Sequence, residues 1–295
     1  MMKLLKIRIL AVLLMANMSF AEAEISQATI TDLCIRVAGK LASVTLAECL
    51  EAELSYNGGR SVRGFPIGVR EFSPISEHSS IGKILLIGGI HGDEYSSVSV
   101  VFKWLNQLKS GYNGNFHWRI APLMNPDGLL RRKSVRVNAH GVDLNRNFPT
   151  PNWLLTATNY WFTRAHQNPR RFPGPNPASE PESQWLIKEI KEFQPDVIVS
   201  VHAPIGIVDF DGPPKAPEKL GELHLYMLGT YPGSLGNYAG VHKRLPVITI
   251  ELAHAGIMPS KQEISDIWSD LEVYLEKKIT DSPLQQAVKD HAGPS

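Results

Sequence analysis

Histidines and carboxylates in this sequence stand at the ends of apolar runs, where they can do metal chemistry. His91 and Glu94 lie three residues apart in the segment GGIHGDE (88–94), directly after the run Lys83–Ile87. A neutral imidazole and a carboxylate are ordinary zinc ligands. A catalytic zinc site needs one more protein ligand and an open position for water. His202 is the natural third ligand, because mostly apolar residues lead straight into it in SVHAP (200–204). The sequence holds ten histidines, and the other eight lie in polar loops or lack a strand end before them. The expected cofactor is therefore one zinc ion held by His91, Glu94 and His202.

Glu251 is the next unusual residue. It sits inside the β-branched run VITIEL (247–252), where a buried carboxylate is costly unless it is paired or functional. Beside a zinc site it can accept a proton from water and hand it to a leaving amine. The loop RVNAHGVDLNRNFP (136–149) is dense in polar residues. Arg136 is placed to stabilise the oxyanion of a tetrahedral intermediate. Asn145 and Arg146 are placed to clamp a substrate carboxylate, since a planar guanidinium binds carboxylate in a bidentate way.

The elements that must position these residues follow from hydrophobic periodicity. Strands are expected at 83–90, 116–124, 196–201 and 247–252. Helices are expected at 95–109, from a capping box at Ser179 and Glu182 to about residue 194, and from a second box at Ser260 and Glu263 to about residue 279. The turn signal Asn57, Gly58 and Gly59 predicts a hairpin. Alternating strands and helices argue for an α/β sheet with helices on both faces. In such sheets ligands gather beyond the carboxyl ends of the strands. His91, Glu94, His202 and Glu251 all fall near such ends. The stretch 149–178 is too long to be a structureless connection unless it is functional. It carries Trp153, Trp161, Arg170 and Arg171, which are expected to shape the pocket.

Bulk properties narrow the partners. The chain has 295 residues and a formal net charge of +1, which gives no argument for nucleic acid or an anionic membrane surface. Residues 1–23 read as a secretory signal peptide, with Lys3, Lys6 and Arg8 ahead of a short apolar core. That core is too short to span a bilayer, and no later segment is long and apolar enough. Residues 24–75 form a lead-in, 76–280 the catalytic domain and 281–295 a polar tail. Export places the mature chain in the periplasm or outside the cell. Cys34 and Cys49 are the only cysteines, and in an oxidising compartment they are expected to bridge. A loop of that size contributes about 3 kcal/mol in the chain-entropy model.

The ordered set of motifs resembles the zinc carboxypeptidase family of the funnelin type. The set is HxxE (His91, Glu94), NPDG (125–128), GVDLNRNFP (141–149), His202 after a strand, and ITIEL (248–252). Trp153, SEPE (179–182) and PGS (232–234) resemble the short murein peptide amidase A branch of that family. The resemblance implies a mixed central sheet in a single-domain carboxypeptidase-like fold. It implies zinc ligation by His91, Glu94 and His202, proton transfer by Glu251, oxyanion stabilisation by Arg136, and carboxylate binding by Asn145 and Arg146. Arg132 competes with Arg136, because other members carry an Arg-Lys pair there. His140 departs from the motif, where Asn is usual, and the tyrosine of digestive members has no clear match, although Tyr231 or Tyr238 could serve. The expected activity is hydrolysis of an amide bond next to a free carboxylate. The expected substrate is a peptide or a peptidoglycan stem peptide, cut at the bond from γ-D-glutamate to diaminopimelate. A zinc N-acyl amino acid deacylase is the rival, disfavoured by NPDG and ITIEL. A non-catalytic cell-wall binding protein is disfavoured because every ligand and the base are present.

Overall fold

The computed structural model describes residues 29–74, 80–112, 114–213 and 215–280. The proposed signal peptide and polar tail lie outside the described residues. The elements run α1 (29–40), α2 (Leu46–Glu51), β1 (Ser55–Arg60), β2 (Pro66–Phe72), β3 (Gly82–Ile87), α3 (Tyr95–Lys109) and β4 (Phe116–Ala121). They continue with α4 (Pro126–Leu129), α5 (Trp153–Thr163), α6 (Pro181–Phe193), β5 (Val197–His202) and β6 (Ile207–Asp211). A two-stranded pair β7 (Lys219–Leu220) and β8 (Leu223–His224), β9 (Val247–Glu251) and α7 (Lys261–Thr280) complete the fold.

Seven strands form one sheet in the order β1-β2-β4-β3-β5-β9-β6. The central strands β4, β3, β5 and β9 are parallel, whereas β1, β2 and β6 run antiparallel to their neighbours. Parallel strands buried on both faces read as continuous apolar runs, and β3 does so. Its Ile84 and Leu86 join the core beneath α1, α3 and α7, while Leu85 and Ile87 join the core beneath α6. The expected mixed sheet with helices on both faces is therefore present.

Several local expectations change. Asn57, Gly58 and Gly59 lie inside β1, where the register with β2 shifts between Tyr56 and Arg60. The turn falls instead at Ser61–Phe65, closed by hydrogen bonds from Ser61 N to Phe65 O and Gly64 N to Ser61 O. Glycine at a bulge, not at a turn, explains the false signal. Glu182 does not close a capping box, because its carboxylate accepts hydrogen bonds from Val62 N and Asn138 Nδ2. Helix α6 begins at Pro181 with no side-chain cap. The Ser260–Glu263 box is formed, with Ser260 N to Glu263 Oε2 at 2.8 Å and Glu263 N to Ser260 Oγ at 3.2 Å. Residues 149–178 hold α5 and a short 3-10 turn, Pro169–Arg171. Cys34 and Cys49 are disulfide-bonded, tying α1 to α2.

Candidate metal centre and cleft

The carboxyl ends of β3, β5 and β9 bring the expected residues together. The chain leaves β3, turns, and presents His91 and Glu94 just before α3. The turn packs so closely on α4 that a Cβ at Gly92 would lie 2.3 Å from Gly128 C. Only glycine fits there, which couples the HxxE turn to the NPDG segment. His202 is the last residue of β5 and pairs in register with Glu251, the last residue of β9.

Ligand atoms of His91, Glu94 and His202 lie within 4.8 Å of one another, and all three residues are buried. This is the one such cluster among the described residues. His91 Nδ1 lies 2.7 Å from Glu94 Oε1, and His202 Nδ1 lies 3.2 Å from Glu94 Oε2. Two imidazoles and a carboxylate are a donor set that suits zinc. On its other side His91 Nε2 meets Asp143 Oδ1 at 3.2 Å. A carboxylate behind a ligating imidazole fixes its tautomer and ring orientation. Asp143 was not singled out from the sequence. Its signal was available, since it sits in GVDLNRN beside residues already suspected.

Arg136 reaches this cluster, with Nε on Asp143 Oδ2 at 2.9 Å and Nη1 3.5 Å from Glu94 Oε1. Arg132 does not. It lines a separate cleft with Arg36, Lys40 and Arg63. Burial works against the Asp143 anion, but Arg136 and His91 more than offset it and hold its carboxyl well below the ordinary range.

A cavity of about 300 Å³ opens beside the cluster. Its lining includes Arg136, Asn145, Arg146, Arg171, Tyr231 and Glu251. Glu251 Oε2 is buried and has no hydrogen-bond partner. Burial pushes the Glu251 carboxyl up, against the pull of His202. Arg146 is also buried, with Nε unpartnered, Nη1 donating to Asn145 O, and the guanidinium 4.4 Å above the Tyr231 ring. Burial lowers its pKa to about 10, with Asp143 working the other way. Asn145 Oδ1 is taken by Leu235 N at 2.8 Å.

The long segment contributes less of the wall than expected. Of its four named residues, Arg171 alone lines the cavity. Trp153 lies behind Arg146, its Nε1 donating to Arg146 O at 3.0 Å. Arg170 binds Asp93 at 2.6 Å, fastening the segment to the HxxE turn. Trp161 packs on Phe162 and Phe172. Tyr231 lines the cavity, whereas Tyr238 is buried against Phe148. His140 meets Glu180 Oε2 at 2.8 Å.

A mixed sheet whose parallel strand ends carry a His-Glu-His cluster beside an unpartnered glutamate defines a zinc peptidase scaffold. The zinc carboxypeptidase family profile matches residues 52–205, and the chain belongs to that family. It is 35% identical to murein peptide amidase A of Escherichia coli (strain K12) over 187 residues, covering 61% of this chain and 74% of that one. It is 32% identical to murein peptide amidase A of Vibrio campbellii over 201 residues, covering 66% and 77%. Among solved structures it is similar to murein-tripeptide amidase MpaA from Escherichia coli O157, with a TM-score of 0.50, 30% identity, and coverage of 73% and 88%. It shares its fold with carboxypeptidase A from Helicoverpa armigera, with a TM-score of 0.59, 17% identity, and coverage of 76% and 68%. The protein is thus a peptidase whose cofactor is zinc.

Proposed function

We propose that the enzyme hydrolyses an amide bond next to a free carboxylate in murein stem peptides, at the bond from γ-D-glutamate to diaminopimelate. The observation that carries this reading is one cavity holding the His-Glu-His cluster, an unpartnered Glu251 oxygen and a buried, underpaired guanidinium. The substrate class rests on the relatives named murein peptide amidase A.

In this reading His91, Glu94 and His202 hold the zinc. Bound there, zinc supplies a Lewis acid that polarises the scissile carbonyl and makes water easier to deprotonate. Glu251 takes a proton from the attacking water through Oε2 and returns it to the leaving amine. Its burial suits this, because a raised pKa lets the carboxyl give the proton back. Arg136, fixed by Asp143, meets the negative charge that develops on the carbonyl oxygen. Asn145 and Arg146 seat the terminal carboxylate, which supplies the anion that Arg146 lacks.

The rival N-acyl amino acid deacylase reading has no observation of its own here. Residues 1–23 are proposed to direct export to the periplasm, and the Cys34–Cys49 bridge supports an oxidising compartment. No helix among the described residues is long and apolar enough to cross a membrane.

The test incubates the purified protein with L-alanyl-γ-D-glutamyl-diaminopimelate, with and without a chelator. Mass spectrometry should detect free diaminopimelate, and the chelator should suppress it. An intact tripeptide in the presence of zinc would remove the murein reading.

A further inference from the structure

A second hollow, of about 650 Å³, lies apart from the cavity, and the described residues that line the two are all different. Three stretches distant in sequence build it. Helix α1 supplies Arg36 and Lys40, the turn between β1 and β2 supplies Arg63, and the chain after α4 supplies Arg131 and Arg132. Arg36 and Lys40 are four residues apart, so they share one helix face. Helix α4 joins this cleft to the His-Glu-His cluster. Its Asp127 lines the cleft, while its Gly128 packs on Gly92 of the HxxE turn.

Five basic residues and one acid line the cleft, in a chain whose net charge is only +1. The acid does not neutralise them. Asp127 is 1% exposed, its Oδ2 accepts from the Arg63 backbone N at 3.1 Å, and its Oδ1 has no partner. Arg36 pairs with Asp32 at 2.8 Å and lies 5.5 Å from the centre of the Phe65 ring. Lys40, Arg63, Arg131 and Arg132 make no ion pair with a described residue. Hydrogen bonds nevertheless gather these charges. Lys40 Nζ donates to Arg131 O at 2.7 Å and to Arg132 O at 3.1 Å, which clasps α1 to the two arginines. Like charges gathered in this way repel one another. An anion seated among them relieves the repulsion.

We propose that this cleft is a second binding site for the wall polymer, holding the free carboxylates of a stem peptide that neighbours the one being cut. The proposal rests on the murein reading above. A γ-linked glutamate keeps its α-carboxylate free, and diaminopimelate joined through an amine keeps at least one carboxylate of its own. Stem peptides recur along each glycan strand, so the polymer presents a row of carboxylates. Guanidinium forks match carboxylates in geometry and charge. A stem held in the cleft raises the effective concentration of its neighbour at the His-Glu-His cluster. A free tripeptide offers a single stem and gains nothing from the cleft. Arg63, Arg131 and Arg132 are the main contacts, and none of them touches the reacting atoms.

The experiment compares the wild type with R63E/R132E and with K191E/K261E, which makes the same charge change on α6 and α7. All four side chains are exposed. R63E/R132E should raise the apparent KM on intact sacculi by about 10-fold, the scale of two exposed charge contacts. Its kcat/KM on the free tripeptide should match the wild type. K191E/K261E should change neither value. Added salt should raise the wild-type KM on sacculi and leave that of R63E/R132E nearly flat. R63S/R132S carries the comparison if R63E/R132E fails to fold by circular dichroism. Failure to cleave the tripeptide would remove the murein reading and leave the cleft open to direct measurement. Calorimetry of the zinc-loaded enzyme with poly-γ-D-glutamate, a chain of free α-carboxylates, then reads it, and the wild type should bind about 10-fold tighter than R63E/R132E. Binding of polyphosphate but not of poly-γ-D-glutamate overturns the carboxylate ligand. Equal KM or equal binding for the wild type and R63E/R132E, or an equal loss in K191E/K261E, overturns the proposal.

Discussion

Two buried polar regions meet at the loop 136–146, and they differ in whether their hydrogen bonds are closed. On one side, Asn138 uses its whole amide. Its Oδ1 accepts from His140 N and Val142 N, and its Nδ2 donates to Glu180 and Glu182. Asn147 Nδ2 similarly donates to Pro173 O, Asn176 O and Ser179 Oγ. On the cavity side, Glu251 Oε2, Ser200 Oγ and Arg146 Nε have no partner among the described residues. Buried polar groups in native proteins are normally paired. Saturation marks a framework that fixes the loop. The unpartnered atoms on the other side belong to residues that line the cavity, where the proposed substrate would bind.

The strongest way to break this comparison is E251Q. If Glu251 is held for chemistry, its loss should lower kcat by about 10²–10⁴-fold, the scale of general acid–base catalysis. Zinc content should not change, because Glu251 is outside the His-Glu-His cluster. Tm should hold or rise, because glutamine removes a buried, unpaired charge. Retained turnover, or a large fall in Tm with zinc intact, would place Glu251 with the framework instead. Metal analysis, steady-state kinetics and thermal melting separate these results.

N138A probes the other side. It strips four hydrogen bonds and leaves Glu180 and Glu182 without that donor. Unpairing buried carboxylates should cost about 3 kcal/mol or more, read by urea denaturation. The loss should appear in stability first, with activity falling as the loop carrying Arg136, Asn145 and Arg146 loosens. A variant as stable as the wild type would show that the closed network is dispensable.

The two sides were not equally legible in the sequence. His91, His202 and Glu251 stand out because apolar strands lead into them, and burial at a strand end is what periodicity reveals. The positions of β3, β4, β5 and β9 along the chain followed from the same pattern. Asp209 and Asp211 were missed because IVDFD alternates in the manner of a strand with one wet face. In the fold that polar face lines the cavity, a fact set by β6 pairing antiparallel with β9. Glu182 was misassigned for a related reason. A capping box is a local rule, and two distant donors, Val62 N and Asn138 Nδ2, outcompeted it. Arg132 and Arg136 are four residues apart in sequence, and chain geometry alone sends one to a separate cleft and the other to Glu94.

The smallest effect is a pH dependence on the framework side. Burial lifts Glu182 to about 7, held back by hydrogen bonds from Asn138 and Val62 and raised further by Asp127. The unfolded chain ionises near the ordinary value of 4.5. Protonated Glu182 is therefore favoured by folding. Its stabilisation is complete below pH 4.5 and is lost as pH rises through 7. The span is at most about 3 kcal/mol. E182Q keeps one acceptor, for either Val62 N or Asn138 Nδ2, while removing the charge, so its Tm should fall less than that of the wild type between pH 5 and 8, when both are referenced to their values at pH 4.5. Parallel curves would mean that Glu182 stays ionised throughout, fully compensated by its donors. That result would sharpen the contrast with the cavity, where Glu251 Oε2 and Ser200 Oγ have no partner among the described residues.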